Sequence, residues 1–147
     1  MTIEFTTDLP LLATYWDLFR TTGWKFRRPV TAEVLALALQ KSWYCLFAYD
    51  GDKLVGSGRI CTDGLLHAII YDVIVATDYQ RQGIGKQIME RLVQKCLEAQ
   101  IGTIQLFCAK GKLAFYEQLG FVVRPDDAPG MQYRPPGSSA PATENAR

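Results

Sequence analysis

The spacing of apolar residues along the chain predicts four helices. The longest pattern begins at residue 84 and repeats apolar residues every four positions, which is the spacing of one broad buried helix face. Three shorter helical patterns cover residues 9–22, 32–42 and 112–120. The first ends at Gly23, a residue that commonly stops a helix, and Thr31 is a suitable N-cap for the second. The stripe of the longest helix contains Ile84, Ile88, Leu92 and Cys96, with Met89, Val93 and Leu97 beside them.

Seven segments have the composition of β-strands. Residues 43–49 and 53–61 flank Asp50-Gly51-Asp52, which predicts a hairpin. Residues 64–76 form a nearly continuous apolar run, as expected of a central strand covered on both faces. The remaining strand candidates are residues 3–7, 102–109, 121–124 and 130–134. The order of helices and strands predicts a mixed α/β fold.

Composition and charge predict one globular domain with no affinity for polyanions. The chain has 147 residues, of which 48% are hydrophobic and 21% charged. Its 16 Lys+Arg and 15 Asp+Glu leave a net charge of +1, so no global field would attract nucleic acid or an anionic membrane. No apolar run is long enough to cross a bilayer. Residues 135–147 have almost nothing to bury and are predicted to be a disordered tail behind a domain of residues 1–134.

The cysteines and the first ten residues bear on metal binding and location. Cysteines at positions 45, 61, 96 and 108 lack the spacing of a metal site, so we expect no metal. The segment MTIEFTTDLP lacks the basic start and apolar stretch of a signal peptide. Both observations favour a cytoplasmic protein whose cysteines are reduced and buried.

A Gly-x-Gly turn in Gln80–Lys86 separates the central strand from the long helix. The first N–H groups of a helix lack intrahelical acceptors and attract anions, and glycines let a phosphate approach the backbone closely. A dinucleotide-binding motif would need a third glycine where Ile88 stands, and a Walker A loop would need one where Gln80 stands. The pattern Q/R-x-x-G-x-G/A is satisfied by Gln80, Gly83 and Gly85.

The chain resembles the GNAT superfamily of acyl-CoA-dependent N-acyltransferases in four features. These are the turn, the strand YDVIVATDYQ before it, the amphipathic helix after it and the segment AFYEQLGF about thirty residues later. The resemblance covers residues 1–134. It implies a central, mostly antiparallel twisted sheet of about seven strands with helices on both faces, and acetyl-CoA as cosubstrate without a metal. Residues 71–93, 101–121 and 130–133 are similar to serotonin (arylalkylamine) N-acetyltransferases of plant and cyanobacterial type, which implies a small, arylalkyl primary amine as acceptor.

The resemblance also implies which residues bind coenzyme A. Backbone amides of the turn would face the pyrophosphate, and two basic side chains in it could add charge. Backbone groups of Val73 and Val75 would bind the pantetheine arm as an added strand, and the Val75 N–H would also stabilise the oxyanion. The residues of the turn are Gln80, Arg81, Gln82, Gly83, Ile84, Gly85 and Lys86.

The same resemblance implies that the Tyr116 hydroxyl reaches the sulfur and protonates the departing thiolate. A protonated amine must first lose a proton, and Asp72 inside the apolar run IIYDVIV is the candidate base, because a poorly solvated carboxylate takes up a proton more readily. The alternative is that Asp72 is a structural hydrogen-bond acceptor. Strand alternation predicts that Asp72 faces away from Tyr71 and Val73. If the cleft lies on the opposite face, Tyr71 and His67 would contact the substrate.

The loop of residues 21–29 would form the acceptor pocket, with Trp24 either stacking on an aromatic amine or sealing the core.

Three functions remain open at this point. The acceptor would then be a small amine or, alternatively, a protein lysine or N-terminus. A third reading is a non-catalytic CoA-binding module, since Lys110, Gly111 and Lys112 stand where many GNAT relatives carry Asn. A homodimer is compatible with each of these functions.

Overall fold

One five-stranded sheet organises the molecule. Its strands are β1 (Ile3–Thr6), β2 (Tyr44–Asp50), β3 (Lys53–Thr62), β4 (His67–Val75) and β5 (Thr103–Leu106), in that spatial order. The first four strands pair antiparallel, and β5 runs parallel to β4. The mostly antiparallel sheet is therefore confirmed.

Four α-helices accompany the sheet in this computed structural model, which describes residues 1–138. They are α1 (Leu12–Arg20), α2 (Ala32–Lys41), α3 (Ile84–Glu98) and α4 (Leu113–Gln118), and a 3₁₀ turn spans Thr77–Tyr79. The Thr31 side chain caps α2 by accepting a hydrogen bond from the Val34 N–H at 3.2 Å, as predicted. The hairpin of β2 and β3 is confirmed as well, and its Gly51 adopts a φ of +57°.

The helices cover both faces of the sheet and create two apolar clusters. On one face, Tyr15, Phe19, Leu35 and Leu39 of α1 and α2 pack on Phe47 and Ile74. On the other face, α3 buries its predicted stripe, although Leu97 is exposed. This helix lies so close to β3 that a Cβ added at Gly58 would come within 2.8 Å of Leu92 Cδ1. The β3 glycines thus set the distance between helix and sheet.

The prediction of about seven strands is wrong, because residues 121–124 and 130–134 form no strand. Val122 is 89% exposed and Met131 is 86% exposed, and neither segment joins the sheet of the described chain. Apolar and β-branched residues favour a strand only where a neighbour supplies hydrogen bonds and side-chain contacts. The part of the predicted disordered tail at residues 139–147 lies outside the described residues.

Further predictions concern cysteines, metals and membranes. All four cysteines are free, but only Cys45 and Cys96 are buried, so the expectation of burial is wrong for the exposed Cys108. Within residues 1–138, no group of three or more His, Cys, Asp or Glu side chains is arranged to hold a metal ion. No helix in that range has the length and apolar character needed to span a membrane.

Candidate active site

The sheet opens between β4 and β5. These strands pair only from His67↔Thr103 to Ile70↔Leu106, where β5 ends. β4 continues to Val75, so within the described chain its last five residues have no partner in β5, and of these Tyr71, Ile74 and Val75 pair with β3. The opening places the end of β4 opposite residues 107–109, which follow β5.

A β-bulge lies in β4 at this opening. Asp72 has a φ of +54°, and the pairing register shifts so that Asp72 and Val73 both face Gly58. Regular alternation predicted Tyr71 and Asp72 on opposite faces, and this prediction is wrong: the Arg59 guanidinium lies 5.4 Å from the Tyr71 ring centroid and 2.9 Å from the Asp72 carboxylate. The extra residue of a bulge interrupts the two-residue period of a strand.

A cavity of about 20 Å³ lies inside the opening, which is room for about one water molecule. It brings together four of the predicted residues, two of them able to exchange protons. The side chains that line it are Trp24, Ile70, Asp72, Val73, Leu106, Phe107, Ala109 and Tyr116.

The carboxylate of Asp72 is buried and held on one side only. Asp72 is 7% exposed, and its Oδ2 accepts a hydrogen bond from Arg59 Nε at 2.9 Å. Its other oxygen, Oδ1, has no hydrogen-bond partner among residues 1–138. Burial lowers the pKa of Arg59, but the charge and hydrogen bond of Asp72 more than offset this, so the pKa is raised and the guanidinium stays charged.

Sequence reasoning missed Arg59. A signal existed, because Arg59 stands in the apolar run KLVGSGRIC just as Asp72 stands in IIYDVIV. Two opposite charges in neighbouring buried strands are expected to pair, since an unpaired buried charge is costly.

Tyr116 enters the cavity from α4. Its ring packs edge-on against Phe115 and Phe121, with centroids 5.0 Å and 6.1 Å away. Burial, followed by the nearby Cys108, raises the pKa of Tyr116 to about 12. The hydroxyl therefore stays protonated at physiological pH. Tyr116 also borders a cleft of about 1040 Å³ between β5, α4 and residues 121–130, so its ring lies between a large ligand-sized space and the small cavity.

The Gly-x-Gly turn has the features of an anion site. Gly83 is the N-cap of α3 with a φ of +82°, and no side chain caps the helix. In the described chain the N–H groups of Ile84, Gly85 and Lys86 have no backbone or side-chain acceptor, whereas Gln87 N–H bonds to the Gly83 carbonyl. Three free amides at a helix start suit a phosphate group.

Side chains around the turn fix its shape. Gln80 Nε2 donates to the Val75 carbonyl at 3.1 Å, and Gln82 Nε2 donates to the Asp78 carbonyl at 3.1 Å. Arg81 has a φ of +61°. Lys86 lies 3.8 Å from Glu90 in an exposed ion pair, which contributes little to stability. Val75 is close enough that a Cβ at Gly85 would lie 3.5 Å from its Cγ2.

Two other candidates lie outside the cavity. His67 is exposed at the first residue of β4, where its Nδ1 is 2.6 Å from Thr103 Oγ1. Tyr71 stacks on Arg59 and does not line the cavity. Of the predicted acceptor residues, only Trp24 borders it.

Trp24 also borders a second, aromatic pocket of about 200 Å³. Its indole packs edge-on against Phe19 at 5.8 Å and so stands between the two spaces. The pocket is lined by Trp16, Phe19, Arg20, Thr22, Trp24, Phe26, Arg28, Pro29 and Val30.

Comparison with known proteins agrees with this geometry. Residues 11–121 match the acetyltransferase (GNAT) family. An uncharacterised N-acetyltransferase of Pyropia yezoensis is 40% identical over 121 residues, covering 81% of this chain and 69% of that protein. A probable acetyltransferase structure from meticillin-resistant Staphylococcus aureus superimposes with a TM-score of 0.79 at 26% identity, over 90% of this chain and 99% of that chain.

Two plant relatives have names that state an acceptor. A histone acetyltransferase of Glycine max is 34% identical over 77% of this chain and 52% of its own length. A chloroplastic serotonin N-acetyltransferase of Oryza sativa subsp. japonica is 34% identical over 54% of this chain and 40% of its own length. The two names differ in acceptor, but both are acetyltransferases. The chain belongs to the GNAT family and is an N-acetyltransferase that uses acetyl-CoA.

Proposed function

We propose that this acetyltransferase transfers acetyl directly to a small primary amine, with arylalkylamines as the favoured class, in the cavity between Asp72 and Tyr116. One observation carries the proposal: a space of about 20 Å³ is bordered both by a carboxylate with a free oxygen and by a protonated phenol. A proton acceptor and a proton donor around one water-sized site are what amine acetylation requires.

Asp72 acts on the amine in this proposal. An alkylamine with a pKa of about 10.4 is almost fully protonated at pH 7, and removing its proton costs about 4–5 kcal/mol. Asp72 Oδ1 accepts that proton, directly or through the water that the cavity can hold. The amine nitrogen then forms the new C–N bond.

Tyr116 acts on the leaving group. Bound acetyl-CoA supplies the acetyl thioester, whose C–S bond breaks as the C–N bond forms. Tyr116 donates its hydroxyl hydrogen to the sulfur, and the second proton that the nitrogen loses on becoming an amide returns to the phenolate. Asp72 then releases the first proton to solvent. Desolvation raises the pKa of the Cys108 thiol, which makes it a poor nucleophile and supports direct transfer over an acetyl-cysteine intermediate.

The residues that would hold acetyl-CoA are those of the anion site and of the β4 edge. The free amides of Ile84, Gly85 and Lys86 would bind the pyrophosphate. The backbone of Val73 and Val75 would bind the pantetheine arm, because their side of β4 has no strand partner within residues 1–138.

The aromatic pocket supports a small acceptor. Its volume of about 200 Å³ and its aromatic lining suit an arylalkyl group, with the amine passing Trp24 to reach Asp72. The relative in Glycine max that is named a histone acetyltransferase keeps a protein lysine as the second candidate.

The first experiment measures acetylated products by mass for purified protein with acetyl-CoA and a panel of amines. The panel contains tryptamine, serotonin, polyamines, aminoglycosides and lysine peptides. Turnover on arylalkylamines alone supports the proposal. Turnover on peptides alone overturns the acceptor class but keeps the enzyme.

Tyr116→Phe tests the acid. We expect kcat to fall by about 10²-fold, the usual contribution of a positioned acid, with little change in acetyl-CoA affinity. Tyr133→Phe is the matched control, because Tyr133 is 79% exposed. An unchanged kcat in Tyr116→Phe would exclude the proposed role.

Location and assembly belong to the same proposal. We propose a cytoplasmic protein, although the relative in Oryza sativa is named chloroplastic. Cell fractionation tests the location, and light scattering tests whether the protein is a homodimer.

A further inference from the structure

The ion pair of Arg59 and Asp72 is held from several elements. Arg59 Nε lies 2.9 Å from Asp72 Oδ2, and Arg59 Nη1 donates to Ser42 Oγ at 3.2 Å. Ser42 Oγ in turn donates to the Ala38 carbonyl at 2.7 Å, so the end of α2 supports the guanidinium. Arg59 Nη1 also lies 3.6 Å from Cys61 Sγ.

The two carboxylate oxygens of Asp72 have different environments. Oδ2 is fixed by Arg59, whereas Oδ1 is buried without a partner in the described chain and Asp72 lines the cavity. A bulge residue with positive φ has no regular ladder to fix its orientation, so the ion pair has to supply it. A contribution to the stability of the fold is a weak explanation for a buried ion pair, because apolar residues of similar volume often stabilise a protein equally well.

We propose that Arg59 is a positioning residue for acetyl transfer: it holds Oδ2 of Asp72 so that Oδ1 faces the cavity. This inference rests on the proposed function, because it presupposes that Asp72 is the base.

Arg59 is the cation that contacts the Asp72 carboxylate. Tyr15 of α1 faces the carboxylate: burial first, and the charge of Asp72 second, raise the pKa of the Tyr15 hydroxyl. The other titratable groups near the pair are Cys45 of β2, Cys61 of β3, Tyr71 of β4 and, across the cavity, Tyr116 of α4. Removing the guanidinium removes the hydrogen bond that fixes Oδ2, so the carboxylate can turn its free oxygen away from the cavity.

The test compares kcat and the KM for acetyl-CoA in Arg59→Gln, Arg59→Lys, Asp72→Asn and the double variant Arg59→Gln/Asp72→Asn. We expect Arg59→Gln to lower kcat at pH 7 by about tenfold to hundredfold, the effect of a misplaced catalytic group, at nearly unchanged KM. Arg59→Lys, which keeps the positive charge, should recover part of the lost kcat. Ser42→Ala, which removes one support of the guanidinium, should show a weaker form of the same change.

The double variant separates positioning from general destabilisation. If Arg59 acts through Asp72, Arg59→Gln lowers kcat no further once Asp72→Asn is present. Arg91→Gln is the control for loss of a positive charge. The Arg91 guanidinium lies 4.2 Å from the Phe5 ring centroid, and Arg91 does not line the cavity. Thermal unfolding of every variant shows which ones are folded at the assay temperature.

Each outcome decides between the proposals. Wild-type kcat in both Arg59 variants, with low kcat in Asp72→Asn, would overturn the positioning role and keep the proposed function. Wild-type turnover in Asp72→Asn would overturn both. Additive losses in the double variant would also overturn the positioning role.

Discussion

Asp72 combines three features at the residue scale: a buried carboxylate, a φ of +54° and a cation at 2.9 Å. A non-glycine residue in this conformation is strained by about 1–3 kcal/mol and persists only where its surroundings impose it. Asp72 Oδ1 is buried without a partner in the described chain, and Asp72 lines the cavity. An unpaired buried oxygen in a residue that lines a cavity indicates a site built for a further ligand, such as a water or an amine.

The pH dependence of turnover follows from Tyr116. Its pKa is raised to about 12, so the proton-donating form is fully present below that value and is lost only as the pH rises through it. We therefore expect kcat to show no decline due to Tyr116 up to about pH 10.5. Steady-state rates at saturating acetyl-CoA and amine between pH 6 and about pH 10.5 measure this.

A comparison with Tyr116→Phe identifies the group behind any decline. The prediction fails if wild type loses activity with an apparent pKa near 10 and the variant lacks that limb. A decline that persists in Tyr116→Phe belongs to another group or to unfolding, which circular dichroism at the same pH distinguishes.

The turn before α3 depends on one glycine for its conformation. Gly83 has a φ of +82°, and a Cβ there would meet nothing within 4 Å, so Gly83→Ala is costly through the backbone alone. Gly85 has no positive φ, and its added Cβ would make ordinary contacts of 3.5 Å with Phe115 and Val75. We expect Gly83→Ala to lower the free energy of unfolding by about 1–2 kcal/mol and to weaken acetyl-CoA binding.

Gly85→Ala is the matched variant for this turn. It should leave the free energy of unfolding unchanged or raise it by up to about 1 kcal/mol, because alanine favours a helix more than glycine does. Urea unfolding and calorimetric titration with acetyl-CoA measure both quantities. A larger loss of stability in Gly85→Ala than in Gly83→Ala would contradict this reading of the turn.

The elements that sequence patterns predicted are those with local causes. The helix cap at Thr31, the hairpin turn at Gly51 and the stripe of α3 are encoded within a few residues. The bulge at Asp72 was missed because it depends on β3, where Gly58 faces two residues of β4. The strands expected at residues 121–124 and 130–134 failed for a similar reason, since strand composition does not supply a pairing partner.

The predicted site residues divide in the same way. The turn and Tyr116 follow from short motifs, whereas the contact between Arg59 and Asp72 depends on how β3 and β4 pair, which the signal in KLVGSGRIC alone does not specify. His67 was a candidate because of its chemistry, but it lies at the far end of the nine-residue β4 from Val75. The ability of a side chain to exchange protons therefore does not identify it as a site residue unless its position along the strand brings it to the cavity.

At the scale of the whole molecule, the cavity between β4 and β5 lies where the two apolar clusters meet. Beyond the bulge, Ile74 packs with α1 and α2, whereas Val73 and Val75 pack with the cluster under α3. The β2–β3 hairpin contacts the 3₁₀ turn that precedes the Gly-x-Gly turn, because the Tyr79 hydroxyl donates to Asp50 Oδ2 at 2.8 Å. In the proposed function, the acceptor pocket and the acetyl-CoA site are thus built from different layers of the fold that meet at the end of β4.

Trp24 joins the acceptor layer to the cavity and gives the last prediction. It lines both the aromatic pocket and the cavity, whereas Trp16 lines the aromatic pocket alone. We expect Trp24→Ala to raise the KM for an arylalkylamine by about tenfold, which corresponds to about 1.4 kcal/mol, with little change in the KM for acetyl-CoA.

Trp16→Ala is the control, because it removes an aromatic ring from the same pocket without opening the cavity. Its KM for the amine should rise less, and its kcat should stay at the wild-type value. Because Trp24 packs on Phe19, thermal unfolding of both variants has to show a folded protein at the assay temperature. Equal KM values for the amine in Trp24→Ala and wild type would mean that the acceptor does not pass this indole, and the aromatic pocket would then be part of the core edge.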